Sequence, residues 1–239
     1  MTNGFSGMNT SLDFVLQHPG IWRGGQLAQT EEETLPTGFA ELDEQLPGGG
    51  WARGALTEIL LEREGIGELR LLLPALARVS TKSEWQAWVA PPHIPYAPAL
   101  SIAGINLKQL LVAQPQTQAD AWWTTEQALR SGACSAVLAW LSTPDEKRMR
   151  RLQLGAETGK AWGVLFRSAS AAQERSTASL RLRLEATANG LAVHILKRRG
   201  GQVSRPVMLN LHQSYGVRRT CPSAPALSVV PSLRAVSRN

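Results

Sequence analysis

The pattern of apolar and polar positions divides the middle of the chain into alternating strands and helices. The short apolar run 56–61 has the length of a strand, and 68–79 carries leucines at helical spacing. The continuous apolar run 136–141 is typical of a strand buried on both faces of a parallel sheet. Alternation of this kind predicts an α/β fold with a doubly wound, mainly parallel sheet. Further strands are predicted at 85–89, 109–113 and 161–166, and further helices at 39–46, 97–104, 119–131 and 143–159.

The pattern changes to a period of two near the end of the chain. Leucines alternate with charged residues over 180–185, which is typical of a half-exposed strand. The pair Asn189-Gly190 is a hairpin turn signal, so 191–199 is predicted to return as an antiparallel strand. A third antiparallel strand is predicted at 207–211. The sheet should therefore end in antiparallel strands at its C-terminal end.

Length and composition fit one domain flanked by extra segments. We divide the 239 residues into an N-terminal arm and linker at 1–34, a core domain at 35–212 and a disordered basic tail at 213–239. No apolar run reaches the about 18 residues of a membrane span, and the first residues lack the pattern of a signal peptide. Two isolated cysteines suit a reducing compartment, so we expect a cytoplasmic protein. The four histidines show no metal-ligand spacing.

Positive charge is concentrated towards the end of the chain. No Asp or Glu follows Glu185, whereas eight Lys and Arg do, which leaves a net charge of −2 for residues 1–185 out of a total of +6. Such asymmetry indicates a nucleic acid or an acidic partner, with a solvated tail as the alternative. The candidate binding residues in this segment are Lys197, Arg198, Arg199, Arg218 and Arg219.

A second basic group lies on the helix predicted at 143–159. It can be a partner surface or a phosphate-backbone patch, and a solvated helix face is the plain alternative. On the preceding predicted helix, the adjacent Trp122 and Trp123 favour packing over base stacking. The candidate residues of this second group are Lys147, Arg148, Arg150 and Arg151.

The loop between the first strand and its helix has the layout of a phosphate-binding loop without its chemistry. If Gly67 is the second glycine of the pattern, Glu62 stands for the first glycine, Glu68 for the lysine and Leu69 for the Ser/Thr, with Gly65 between them. At ~4 Å and an effective dielectric near 20, each contact between one of these glutamates and a bound anion costs on the order of 4 kcal/mol. Glu68 itself can satisfy the helix N-terminus instead of a phosphate. An ordinary strand-loop-helix without nucleotide ancestry is the alternative.

Two stretches carry a resemblance to a known family. "TGFAELDEQLPGGGWARGALTEI", 37–59, resembles the entry to a RecA-type recombinase core, and "RSGACSAVLAWL", 130–141, resembles its Walker B segment. Over about 11–212 the chain resembles ImuA, the RecA-like accessory protein of bacterial mutagenic translesion synthesis. Residues 54–172 are also similar to SulA, the SOS cell-division inhibitor that binds FtsZ, through "LLLP", "EWQAWVAPP", "ALRSG" and "AWGVLFRSASA".

The resemblance implies a RecA-like fold and a protein that has lost ATPase chemistry. Trp140 stands where the Walker B aspartate is expected, and 90–92 replace the catalytic glutamate, so we expect no enzyme activity and no cofactor or metal. Similarity to ImuA implies a scaffold in translesion synthesis, and the similarity to SulA implies division inhibition through FtsZ as the alternative. The implied partners of the first reading are an ImuB-like polymerase homologue, an error-prone replicative-type DNA polymerase and RecA, with weak non-specific DNA binding and no membrane contact.

Overall fold

The computed structural model describes residues 33–81, 84–142, 146–201 and 203–211. Its elements follow the predicted alternation. The helices are α1 (Ala40–Asp43), α2 (Glu68–Thr81), α3 (Ala97–Ile102), α4 (Gln118–Arg130) and α5 (Glu146–Gly159), with short 3-10 turns η1 (Pro47–Gly49), η2 (Leu107–Gln109) and η3 (Ala169–Gln173). The strands are β1 (Thr34–Leu35), β2 (Trp51–Ala52), β3 (Ala55–Leu61), β4 (Trp85–Val89), β5 (Leu110–Ala113), β6 (Cys134–Trp140), β7 (Trp162–Ser168), β8 (Leu180–Thr187), β9 (Gly190–Lys197) and β10 (Val207–Asn210).

A mixed eight-stranded sheet organises the fold. Its strand order is β10-β9-β8-β3-β7-β6-β4-β5. The strands from β8 to β5 pair in parallel, whereas β9 and β10 are antiparallel additions at one edge. β1 and β2 form a separate antiparallel pair just before β3. The predicted mainly parallel sheet with antiparallel strands at its C-terminal end is confirmed.

Helices cover both faces of the sheet, and β3 is buried along its whole length because it has apolar residues on each face. Ile59 faces one core cluster with Leu72 and Leu76 of α2, and Leu56 faces a second cluster with Leu129 of α4. All five side chains are fully buried, and each stabilises the fold by about 2 kcal/mol relative to exposure. Among the helices of the described residues, none is long and apolar enough to cross a membrane.

The structure differs from the sequence-based expectations mainly in β8. The predicted alternation placed its arginines on a half-exposed face, and this is wrong for Arg181, which is only 6% exposed. Its charge is accommodated because Glu58, inside the run read as apolar, is also buried and pairs with it. The short β1–β2 pair was not predicted. The start of the helix predicted at 143, most of the predicted N-terminal arm and the predicted tail lie outside the described residues, so the domain boundaries stay predictions.

Candidate functional site

A cleft of about 480 Å³ opens at the carboxyl ends of the parallel strands. Ligand sites of α/β proteins commonly lie at this edge, because the loops that leave parallel strands meet there. The cleft is therefore where the predicted nucleotide-type site must be judged. Its walls come from the carboxyl ends of β3, β6 and β7 and from residues just after β3, β4 and β6, namely 61–64, Ala90, Pro92, 140–142 and 166–168.

The loop with the predicted layout of a phosphate-binding loop holds a carboxylate of the chain itself. Glu68 begins α2, and its carboxylate accepts hydrogen bonds from the backbone N–H groups of Gly65 (2.8 Å) and Gly67 (3.0 Å). Gly65 and Gly67 adopt φ values of 78° and 113°, which residues other than glycine rarely adopt. The carboxylate that was predicted to satisfy the helix start thus accepts from two N–H groups of the loop before α2. Its carboxylate is buried and occupies N–H groups of the kind that bind phosphate.

The other loop positions that were singled out are not brought together around an anion. Leu69 is partly buried and packs against the core, so its side chain contributes apolar contact at the Ser/Thr position. Glu62 lines the cleft and is exposed. Glu64 is also exposed, with its carboxylate 3.9 Å from His93 Nε2. The mouth of the cleft therefore carries the carboxylates of Glu62 and Glu64 with one exposed cation, Arg63, between them.

An aromatic wall closes the end of β6. Trp140 stacks on Phe166 with ring centroids 4.5 Å apart, and it meets Trp88 at 6.2 Å in a tilted arrangement. Aromatic pairs of this kind are worth about 0.5–1.5 kcal/mol each beyond the area that they bury. Trp140, which the resemblance placed at the Walker B aspartate position, therefore packs against its aromatic neighbours. Within the described residues, no cluster of His, Cys, Asp and Glu has the composition of a metal site.

A buried ion-pair network, which was not predicted from the sequence, lies beside the cleft. Glu58 accepts from Arg167 (2.7 Å) and from Arg181 (2.6 Å), and Arg167 also pairs with Glu174 (2.6 Å). Arg181 donates further to carbonyl oxygens of η3 and of Glu174, at 2.7 and 2.9 Å. Burial opposes the charge of Arg167, but the hydrogen bonds to the two carboxylates raise the pKa of its guanidinium above the ordinary value. The network fixes the η3 segment against the sheet.

The signal for this network was present in the sequence. A glutamate in the middle of a strand that is buried on both faces requires a charged partner, since an unpaired buried charge is very costly. Arg167 and Arg181 stand on the two strands that flank β3. The alternation in β8 suggested solvent instead.

The basic residues on α5 divide into two kinds. Arg151 hydrogen-bonds Glu126 of α4 at 2.9 Å, and Arg148 lies over the ring of Trp122 at 5.7 Å from its centroid. Lys147 and Arg150 are exposed on the same helix. The predicted group is thus brought together on one helix, and half of it contacts α4.

The basic residues after β9 are held by the fold in part. Lys197 donates to the carbonyl of Ser176 at 2.8 Å. Arg198 donates to the carbonyls of Gln45 and Gly201, and partial burial lowers the pKa of its guanidinium. Arg199 is exposed. The other two candidates, Arg218 and Arg219, lie outside the described residues.

Comparison with known proteins finds similarity to SulA in the centre of the chain. The family model described as "Cell division inhibitor SulA" matches residues 54–163. SulA of Edwardsiella piscicida is 35% identical over 99 residues, covering 41% of this chain and 59% of that protein. SulA of Photorhabdus laumondii subsp. laumondii is 32% identical over 112 residues, covering 47% and 63%. The chain thus spans less than two thirds of the length of these relatives.

RecA proteins match a segment of similar length. Protein RecA 1 of Myxococcus xanthus is 31% identical over 118 residues, which covers 48% of this chain and 33% of that protein. A solved structure, SulA from Pseudomonas aeruginosa, aligns with 28% identity over 47% of this chain and 97% of that chain, with a TM-score of 0.40. The predicted SulA similarity of the central region is confirmed, and the RecA similarity is partial.

Proposed function

We propose that this chain is a non-catalytic, RecA-like protein that works by binding other proteins in the bacterial response to DNA damage. The observation that carries the loss of catalysis is the Glu68 carboxylate, bound to the N–H groups of Gly65 and Gly67. A nucleotide would have to displace a buried carboxylate from those groups and then lie beside it. Nucleotide hydrolysis would also need a carboxylate that holds Mg²⁺, and Trp140 stands at the position expected for it. We therefore propose that the protein acts by contact with other proteins.

The first candidate partner is FtsZ. The comparisons support a division inhibitor more than a lesion-bypass factor, because the matched family and two relatives are described as cell division inhibitors. The matched region, 54–163, contains β3, β4, β5 and β6 with the helices between and after them. We therefore assign to this region a SulA-type activity, in which the protein binds FtsZ and blocks its polymerisation in the cytoplasm.

Purified FtsZ and GTP test this function directly. At near-equimolar amounts the protein should suppress the light scattering of polymerising FtsZ and the associated GTP hydrolysis. The suppression should be the same with and without ATP and Mg²⁺, because the binding needs no nucleotide on this chain. FtsZ that polymerises at its full rate in a twofold excess of the folded protein would refute the assignment.

A second candidate, an accessory role in translesion synthesis, is favoured by the extent of the fold. The SulA match ends at residue 163, yet β8, β9 and β10 complete the sheet beyond it, and β1, α1 and β2 precede it. These additions fit the ImuA resemblance of the sequence. The partners would be an ImuB-like polymerase homologue, an error-prone replicative-type DNA polymerase and RecA.

Genetics separates the two candidates. If the accessory role holds, deletion of the gene lowers damage-induced mutation, and overexpression leaves cell length unchanged. If FtsZ is the partner, overexpression gives filamentous cells, and deletion leaves damage-induced mutation as it was. Capture of partners from damaged cells then identifies the proteins that bind.

A further inference from the structure

The helices α4 and α5 leave a groove of about 180 Å³ between them. Its floor is apolar, since Trp122 and Leu152 lie there and are almost fully buried. Trp123 stands at the rim with 59% of its surface exposed, which is unusual for the largest side chain. The groove thus offers a floor and a rim that an apolar side chain can contact.

The electrostatic surroundings of the groove are mostly positive. Arg148 and Arg151 form its α5 side, and Lys147 and Arg150 are exposed on the same helix. The carboxylate of Glu126 lies on the α4 side, where Arg151 pairs with it at 2.7 Å. Lys147 stands four residues before Arg151 and so on the same side of α5, which leaves more cations than carboxylates around the groove and favours an acidic partner.

The position of Glu126 distinguishes a peptide from a nucleic acid. A nucleic-acid strand carries a phosphate at every residue and would bring one against this carboxylate, which also pairs with Arg130 at 3.6 Å. A peptide can place an apolar side chain over Trp122 and Leu152, with its acidic side chains towards Lys147 and away from Glu126. Aromatic and arginine residues at the centre of a groove are typical of binding hot spots.

We propose that the α4–α5 groove docks an acidic peptide segment of a partner protein through one apolar anchor side chain. This inference rests on the proposed function in one respect, that the chain acts by binding proteins. It adds the surface and the chemistry of the partner: an aliphatic or aromatic anchor flanked by Asp and Glu.

A labelled peptide tests the groove without any assumed partner. The probe is a fluorescein-labelled peptide of about twelve residues, in which Glu and Asp flank a central Leu-Phe pair. Fluorescence anisotropy with the full chain should show saturable binding that weakens as salt is raised. Trp123→Ala and Lys147→Glu should each weaken binding about tenfold. The matched controls are Tyr96→Ala, at an aromatic residue that is 72% exposed, and Lys108→Glu, which makes the same change of charge. Each control should change the Kd of the peptide by less than about twofold.

Several results would overturn the proposal. These are no binding by the unaltered chain, equal loss in Lys108→Glu and Lys147→Glu, or no effect of Trp123→Ala in a protein that melts normally. Competition by a thymidine oligonucleotide that depends on Trp123 would instead assign the groove to single-stranded nucleic acid. Peptide binding without FtsZ inhibition would refute only the FtsZ function, and FtsZ inhibition without peptide binding would refute only the groove.

Discussion

Among the charge-removing substitutions discussed below, neutralisation of Glu58 should destabilise the fold most. Glu58 is fully buried and joins Arg167 and Arg181 across three neighbouring strands. The variant Glu58→Gln keeps the shape of the side chain and removes its charge. Both arginines then lose the carboxylate that compensates them inside the protein.

The expected cost follows from what each arginine keeps. Removing one partner of a buried ion pair costs about 3–5 kcal/mol. Arg167 keeps Glu174 at 2.6 Å, and Arg181 keeps its hydrogen bonds to backbone carbonyls, so the lower end applies. We expect the free energy of unfolding to fall by about 3 kcal/mol. For a domain of this size, that corresponds to a fall in Tm of about 6–12 °C.

Chemical denaturation of the purified variants measures this directly. The matched control is Glu174→Gln, which makes the same chemical change at a side chain that is 45% exposed, and it should cost about 1 kcal/mol or less. If Glu58→Gln changes the free energy of unfolding by less than about 1 kcal/mol, or no more than the control does, the network is not the stabilising feature described here.

Three further predictions concern the loop, the end of the core and the last hairpin. Glu68→Ala removes the carboxylate that accepts two loop N–H groups, so thermal or chemical unfolding should show a loss of about 1–2 kcal/mol. A chain ending at Leu211 keeps the core contacts described above, so its Tm should stay within about 2 °C of the full chain, while binding of single-stranded DNA at low salt falls at least about threefold. His194 Nε2 lies 3.1 Å from the Glu185 carboxylate, and the hydrogen bond between them lowers the pKa of the Glu185 carboxyl. The stabilisation from this pair is complete above the unfolded-state pKa of Glu185 and is lost as the pH falls through its lower folded-state pKa. His194→Ala should therefore raise the pKa of Glu185, as measured by an NMR titration.

The sheet could be predicted from the sequence because its signals are local. The apolar run 136–141 marked β6, the turn pair Asn189-Gly190 marked the hairpin of β8 and β9, and leucines at helical spacing marked α2. Strand order depends on pairing between segments that are distant in sequence, as in β3 with β7 and β8. Periodicity carries no information on such pairing.

The candidate site was predictable where one residue decided it and not where several elements meet. Glu68 could be singled out from its place after Gly67, because a carboxylate at a helix start lies near N–H groups that can donate to it. The Glu58 network was missed because its members come from three strands and each breaks the pattern of its own strand. The groove beside Trp123 was missed because exposure on a helix depends on the neighbouring helix.

The central claim is that the chain's own carboxylate occupies the phosphate-type loop, so that this protein binds partners without nucleotide. Calorimetric titration of the full chain with ATP and Mg²⁺ tests it most directly. We expect no binding with a Kd below about 1 mM, which corresponds to a binding free energy of about −4 kcal/mol, and no release of phosphate. A Kd of about 1 μM that is lost on removal of Mg²⁺ would contradict it, because Glu68 would then have to leave the N–H groups of Gly65 and Gly67.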